Sequence, residues 1–124
     1  MIKTFFGLLI FTLISCQMVG KENGVNFSIE NKSDHPIENV RFTTSEYLHE
    51  LKFEIINPNE KVSDFLNLEE NRNDGSYVIE FTRKGENKVT KGFGYYTNGG
   101  ALETWAKFQI KNDTVISEFG GTSY

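Results

Sequence analysis

The stretch KGFGYYTNGGALETWAK, residues 91–107, decides the fold because it combines a turn signal with strand-forming residues on both sides. Asn98-Gly99-Gly100 offers a two-residue hairpin turn, centred on either Asn98-Gly99 or Gly99-Gly100. The flanking residues are rich in aromatic and β-branched side chains, which favour strands. We therefore predict a hairpin of two strands over residues 89–97 and 101–111.

Side-chain alternation gives this hairpin two faces. The face predicted to be buried carries Val89, Phe93, Tyr95, Leu102, Ala106, Phe108 and Ile110. The opposite face carries Gly92, Gly94, Tyr96, Glu103, Trp105 and Lys107. We predict Tyr96, Trp105 and Glu103 as a candidate binding surface, because exposed aromatic rings beside polar groups can stack on sugars or anchor a protein partner. Two structural alternatives stay open: Trp105 covers the two glycines of the neighbouring strand, or it lies in the core.

Outside the hairpin, the chain alternates between apolar and polar residues in short runs separated by turn formers. These runs predict further strands over residues 25–30, 37–43, 51–56, 62–68, 76–82 and 115–119. A capping-box spacing from Thr43 to Glu46 leaves open a single helical turn over residues 45–50. Seven or eight short strands predict an all-β fold, an antiparallel, immunoglobulin-like β-sandwich, with a small up-and-down barrel as the alternative.

The NDGSY stretch that ends at Tyr77 resembles the approach to the tyrosine corner of immunoglobulin-like domains. The spacing from the acidic residue to the tyrosine is one residue short of the usual form. The Cys…Trp…Cys pattern of that family is absent. The expectation is therefore a sandwich architecture, not membership in the family.

The amino terminus follows a different pattern from the rest of the chain. Lys3 precedes an apolar run over residues 5–14, and the small residue Ser15 follows it, just before Cys16. This order is typical of a secretory signal peptide. The apolar run has about half of the roughly 20 residues that a membrane-spanning helix requires.

Leu13-Ile14-Ser15-Cys16 resembles the lipobox of bacterial lipoprotein signal peptides. The resemblance implies that the Cys16 thiol is lipidated, that the signal peptidase cuts before Cys16, and that acyl chains such as palmitate anchor the protein in a membrane. It also implies that this thiol takes no part in catalysis or metal binding. We predict a signal peptide over 1–15, a flexible tether over 16–24 and a β-sandwich domain over 25–124. Gln17, in place of an aspartate after the cysteine, favours the outer membrane.

Composition and motifs narrow the range of functions. The chain has 124 residues and a formal net charge of −4, without a basic block, so we expect no nucleic acid partner. No nucleophile, metal or phosphate-binding motif occurs, so we predict no enzyme activity, cofactor or metal site. The two histidines, His35 and His49, fall in different predicted loops and are expected to be solvated surface residues.

These features predict a lipid-anchored protein of a bacterial cell envelope that acts as a small binding or interaction module. Its partners would be the membrane, through the lipid, and a protein or glycan of unknown identity. The composition and the lipobox together resemble small envelope lipoproteins of Bacteroidota. Two other functions stay open: an immunity or inhibitor protein against a secreted toxin or hydrolase, and an envelope enzyme without a recognised motif.

Overall fold

The computed structural model describes residues 22–122, and these form nine β-strands in two sheets. The strands are β1 (Gly24–Asn31), β2 (Ile37–Thr44), β3 (Glu50–Ile56), β4 (Lys61–Asn67), β5 (Gly75–Arg83), β6 (Lys88–Thr97), β7 (Gly100–Ala101), β8 (Trp105–Ile110) and β9 (Val115–Gly120). No helix forms within the described residues. The helical turn considered for residues 45–50 is therefore wrong, and the residues between β2 and β3 are a loop.

The two sheets have the strand orders β4-β1-β8-β9 (sheet A) and β3-β2-β5-β6-β7 (sheet B). The predicted all-β sandwich is confirmed. Neighbouring strands are antiparallel except for β1 and β8, which run parallel. Immunoglobulin domains place their first two strands side by side in one sheet. Here β1 and β2 lie in different sheets, so the likeness to immunoglobulin domains is one of architecture and not of strand order.

Aromatic side chains from both sheets meet in the core. The ring of Phe42 in sheet B lies 4.2 Å from that of Phe27 and 5.2 Å from that of Phe108, both in sheet A. Tyr77 packs on the other side of Phe42, with ring centroids 6.0 Å apart. All four residues are at most 3% exposed. Since each large apolar side chain contributes about 1.5–3 kcal/mol when it is fully buried, this cluster is a main source of stability.

The two-residue turn predicted for the central hairpin is present at Asn98-Gly99. Both residues have positive φ, 50° and 70°, as a type I′ turn requires. The turn pairs Thr97 with Gly100 and joins β6 to the two-residue strand β7. After Ala101 the chain leaves sheet B, and β8 pairs with β1 and β9 in sheet A. The predicted continuous strand over 101–111 is thus interrupted at residues 102–104.

A β-bulge in β6 reverses the predicted faces of its last residues. Tyr77 pairs with Phe93 and Gly75 pairs with Tyr96, so two residues of β6 lie opposite one residue of β5. Gly94 adopts φ 68° at this point. Because a bulge shifts the alternation by one residue, Tyr95 is 50% exposed and Tyr96 is fully buried. Both predictions, a buried Tyr95 and an exposed Tyr96, are wrong.

The folded part of the chain begins before Val25, the residue at which we predicted the domain to start. The Asn23 side chain donates a hydrogen bond of 2.6 Å to the carbonyl of Gly99, and its oxygen accepts one of 3.0 Å from the amide of Ala101. Gly24 is buried as the first residue of β1. These contacts attach the start of β1 to the end of the sandwich formed by the loops at 45–49, 68–74, 98–99 and 102–104.

Candidate functional site

Tyr96 belongs to a polar cluster inside that end of the sandwich. Its hydroxyl donates a hydrogen bond of 2.7 Å to Glu46 Oε1 and accepts one of 3.0 Å from Asn71 Nδ2. The same Asn71 amide lies 3.0 Å from Thr44 Oγ1. The hydrogen bonds join β6, the end of β2 and the loop before β5. Tyr96 therefore holds the loops together and presents no surface to a ligand.

Glu46 is the acceptor at the centre of this cluster. The hydrogen bond from Tyr96 is the largest cause that lowers the pKa of the Glu46 carboxyl, against the opposing effect of burial. The Asn71 amide, the backbone N–H of Arg72 and the Asn73 amide lower the pKa further. Glu46 is thus held as a carboxylate that closes the loop at 68–74 over the end of the sandwich.

Glu103 lies in the interruption between β7 and β8. Its Oε2 is shielded from solvent and makes no hydrogen bond with any residue of the described chain. Burial, followed by the negative charge of Glu103, raises the pKa of Tyr77 above its ordinary value. The Tyr77 hydroxyl is also buried without a hydrogen bond, so the resemblance to a tyrosine corner, in which this hydroxyl binds upstream backbone, is not realised.

Trp105 begins β8 and points outward from sheet A. It pairs with Asn26 of β1 on one side and with Gly120 of β9 on the other. A Cβ atom added to Gly120 would collide with the Trp105 ring, so the ring lies against the bare backbone of β9. The ring therefore covers a glycine of a neighbouring strand, as one structural alternative predicted, but that glycine is Gly120 and not Gly92 or Gly94. The Lys107 ammonium lies 4.9 Å from the ring centroid, a cation–π contact.

Phe65 of β4 mirrors Trp105 on the other side of β1. It also pairs with Asn26, so Phe65, Asn26 and Trp105 form one row across the sheet. With strands about 4.8 Å apart, the backbones of the two aromatic residues are about 10 Å apart. Phe65 lies against Gly24, where an added Cβ would come within 2.5 Å of the ring. Sequence reasoning missed Phe65, although the alternation of Val62 and Leu66 to the inside would have placed it on the outer face.

Polar side chains line a groove between these two rings. We call this groove the sheet A groove. The groove is shallow and open to solvent, with a volume of about 540 Å³, and its polar lining comprises Asn26, Ser28, Lys61, Ser63, Asp64 and Lys107. Ser63, Ser28 and Lys107 form the second row of the sheet, beside the row that contains the aromatic rings. Within residues 22–122, the side chains of Asn26, Ser28 and Ser63 make no hydrogen bond, so these groups are free to bind a ligand.

The outer face of sheet B has a depression of similar size, about 530 Å³, but most of its charged groups pair with one another. Arg41 forms ion pairs with Glu50 and with Glu80, the latter at 3.4 Å. Lys52 lies 3.1 Å from Glu50, and Lys88 lies 3.9 Å from Glu80. Of the charged groups that line this depression, Glu54 alone has no ion pair within the described residues. The sheet A groove is therefore the better candidate for a ligand site.

The remaining predicted features lie apart from this groove or beyond the described chain. His35 and His49 lie in loops at opposite ends of the sandwich. The part of the chain that the structure describes has no cluster of three potential metal ligands. It also contains no helix long and apolar enough to span a bilayer. Cys16, the predicted signal peptide and residues 16–21 of the predicted tether lie outside the described residues and stay predictions.

The fold has a counterpart among solved structures. An NMR structure of a protein from Eubacterium rectale superposes with a TM-score of 0.56, at 14% sequence identity, over 83% of this chain and 93% of that chain. At that identity the similarity concerns the fold alone. No family model matches the sequence, and no curated protein matches it.

Proposed function

We propose that the protein is a lipid-anchored lipoprotein of the bacterial outer membrane and that its sandwich is a binding module. The ligand would bind in the sheet A groove. The observation that carries this proposal is the pair of aromatic rings, Phe65 and Trp105, which lie against glycines on either side of unpaired polar groups. Such a surface combines apolar contact area with free hydrogen-bonding groups, as small-molecule and glycan sites do.

The lipobox at residues 13–16 supports the anchor. Asn23 is already fixed to the sandwich, so the tether from Cys16 spans seven residues. At about 3.5 Å per extended residue, the tether reaches at most about 25 Å. The proposed anchor would therefore keep the sandwich close to the membrane surface, with the end that contains Asn23 facing the lipid.

Metabolic labelling tests the anchor. Radiolabelled fatty acid should enter the wild-type protein and should not enter Cys16→Ala. A Cys16→Ser variant that is still exported but unlabelled would support acylation of the thiol. Equal labelling of wild type and Cys16→Ala would refute the anchor.

A comparison of envelope components retained by matched variants tests the binding module. Trp105→Ala and Phe65→Ala should each lose the retained ligand. Ile116→Ala should keep it, because Ile116 is 49% exposed on the same sheet but lies outside the groove. Thermal unfolding of each variant shows that the fold persists. If both aromatic variants fold and retain the same components as wild type, the groove is not the binding site.

A further inference from the structure

We propose that the ligand of the sheet A groove is an acidic glycan, a sugar chain that carries carboxylate or phosphate groups. This inference rests on the proposed binding function and names the chemistry of its ligand. It follows from three features of the groove: unpaired cations, a cation that covers the tryptophan ring, and a floor whose backbone hydrogen bonds are already made.

The groove contains two lysines that form no ion pair with any residue of the stretch 22–122. The strand register places Lys107 beside Glu118 and Lys61 beside Glu30, yet neither pair comes within ion-pair distance in the described chain. Glu30 instead pairs with Lys32 at 3.6 Å. Lys84, Lys91 and Lys111 also have no ion pair within the described residues, but Lys61 and Lys107 lie together in one groove. The lining also contains one carboxylate, Asp64, which accepts a hydrogen bond of 2.7 Å from the Phe65 N–H. Two lysines and one carboxylate give the groove a net positive charge, whose complement is an anion.

The position of Lys107 selects against a neutral sugar. Gly120 lies against the Trp105 ring, and the Lys107 ammonium lies 4.9 Å from its centroid. A neutral sugar that stacked on this ring would have to displace the ammonium and lose the cation–π contact. A ligand with an anionic group can instead pair with the ammonium where it is. No cation of the described chain lies over the ring of Phe65, which remains available for the apolar face of a sugar.

The floor of the groove disfavours a peptide that would bind as an added strand. It is formed by β1, which is hydrogen-bonded to β4 on one side and to β8 on the other. An extended peptide binds a sheet by adding main-chain hydrogen bonds at a free edge, and a central strand offers none. The free groups here are the Asn26 amide and the hydroxyls of Ser28 and Ser63. These groups both donate and accept hydrogen bonds, which matches the hydroxyl groups of a sugar.

Binding of paired oligosaccharides to the full-length protein in detergent tests the inference. One pair is an oligogalacturonate and its neutral methyl ester, and a second pair is a phosphorylated oligosaccharide and its dephosphorylated form. Wild type should bind at least one acidic member about tenfold more tightly than its neutral partner, a difference of about 1.4 kcal/mol, because the acidic member adds a charge-assisted hydrogen bond to a lysine. Whichever pair shows the difference identifies the anion as carboxylate or phosphate.

Matched lysine variants connect this difference to the groove. Lys107→Gln should remove most of the preference for the acidic sugar, and Lys61→Gln should reduce it. Lys88→Gln is the control, because Lys88 pairs with Glu80 on the outer face of sheet B. The inference would be overturned if Lys107→Gln unfolds at the same temperature as wild type and still prefers the acidic sugar to the same extent.

Three further outcomes would also overturn it. The first is equal binding of acidic and neutral members in both pairs. The second is a Lys107-dependent affinity for poly-glutamate, or for vesicles that contain an anionic phospholipid, equal to that for the acidic sugars. The third is no binding of any sugar while the Trp105-dependent retention of another envelope component persists. In that third case the proposed binding function stands and only the ligand class is wrong. If neither sugar binding nor Trp105-dependent retention is observed, the binding function and the ligand class are both rejected.

Discussion

Replacing Tyr96 by phenylalanine removes one hydroxyl from the polar cluster and leaves the buried ring in place. The hydroxyl donates a hydrogen bond of 2.7 Å to a carboxylate oxygen of Glu46 and accepts one of 3.0 Å from the Asn71 amide. A typical hydrogen bond contributes about 0.5–1.5 kcal/mol, and the upper end applies because the Tyr96 side chain is fully buried and its hydroxyl makes two hydrogen bonds. We expect Tyr96→Phe to lose about 1.5 kcal/mol of unfolding free energy at pH 7. For a domain of about 100 residues this loss lowers Tm by about 6–12 °C.

The loss should depend on pH in a defined direction. The pKa of Glu46 is lowered in the folded protein from 4.5, first of all by Tyr96. The stabilisation from the ionised carboxylate is therefore fully present above pH 4.5 and is lost as the pH falls through the lower, folded-state pKa. Tyr96→Phe removes the largest cause of that lowering. The difference in stability between wild type and variant should narrow below pH 4.5 and remain constant between pH 6 and 8.

Thermal and urea unfolding, followed by circular dichroism from pH 3 to pH 8, measure both effects. Tyr47→Phe is the matched control: it removes the same hydroxyl from a residue of the loop at 45–49 that is 51% exposed and whose hydroxyl makes no hydrogen bond within the described residues, and it should change stability by less than about 0.5 kcal/mol. Equal effects of the two substitutions at pH 7 would refute the role of the polar cluster. A difference that stays constant down to pH 3 would refute the assignment of Glu46 as the titrating partner.

Three further predictions concern the core and the bulge. Gly94→Ala places a Cβ 2.7 Å from an aromatic ring in addition to the backbone strain at φ 68°, whereas Gly85→Ala at φ 76° meets no atom within 4 Å. Chemical denaturation should therefore show a loss of about 1–2 kcal/mol for Gly85→Ala and a clearly larger loss for Gly94→Ala; equal losses would contradict the packing argument. Phe42→Ala should lower the free energy of unfolding by about 3–5 kcal/mol, because Phe42 is fully buried. Ile55→Ala is the control and should lower it by less than about 1 kcal/mol, because Ile55 is 44% exposed. Similar losses in the two variants would contradict the position of the core. Burial raises the pKa of Tyr77, so in an ultraviolet titration this residue should ionise only as the protein unfolds above pH 10, and reversible ionisation in the folded state would contradict its burial.

The sequence predicted most strands because their alternation arises from burial of one face of each sheet. Strands β1 to β5 and β9 lie within one or two residues of the predicted runs. The Asn98-Gly99 turn was also predictable, because few residues other than asparagine and glycine adopt positive φ at both turn positions. Assignment of strands to sheets was not predictable in this way. The pairing of β1 with β8 joins residues about 80 positions apart, and local alternation carries no information about it.

The structure does not bring the three residues of the predicted binding surface onto one face: Trp105 lies on an outer face, Tyr96 is buried, and Glu103 lies in the interruption between β7 and β8. Trp105 lies on an outer face as expected, although partly buried. Tyr96 was misplaced because a bulge at Gly94 adds one residue to β6, and one residue is enough to exchange the two faces of a strand. Glu103 was misplaced because the chain leaves sheet B after Ala101. A glycine among aromatic residues in a strand is compatible with both a bulge and a regular strand, so the sequence alone did not decide between them.

Two glycines bring the aromatic rings of the proposed binding groove close to the backbone of sheet A. On the outer face of sheet A, Gly24 and Gly120 lack the Cβ that would otherwise lift the rings of Phe65 and Trp105 away from the backbone. Each ring is therefore held against the sheet before any ligand arrives. In the binding function proposed above, a ring that already packs against the backbone would lose less conformational entropy on binding, so more of its contact energy would be available as affinity. Gly120→Ala would leave the indole of Trp105 chemically unchanged and would alter its orientation. If this substitution weakens ligand binding, the orientation of the ring contributes to affinity. If binding is unchanged, the ring contributes only apolar area.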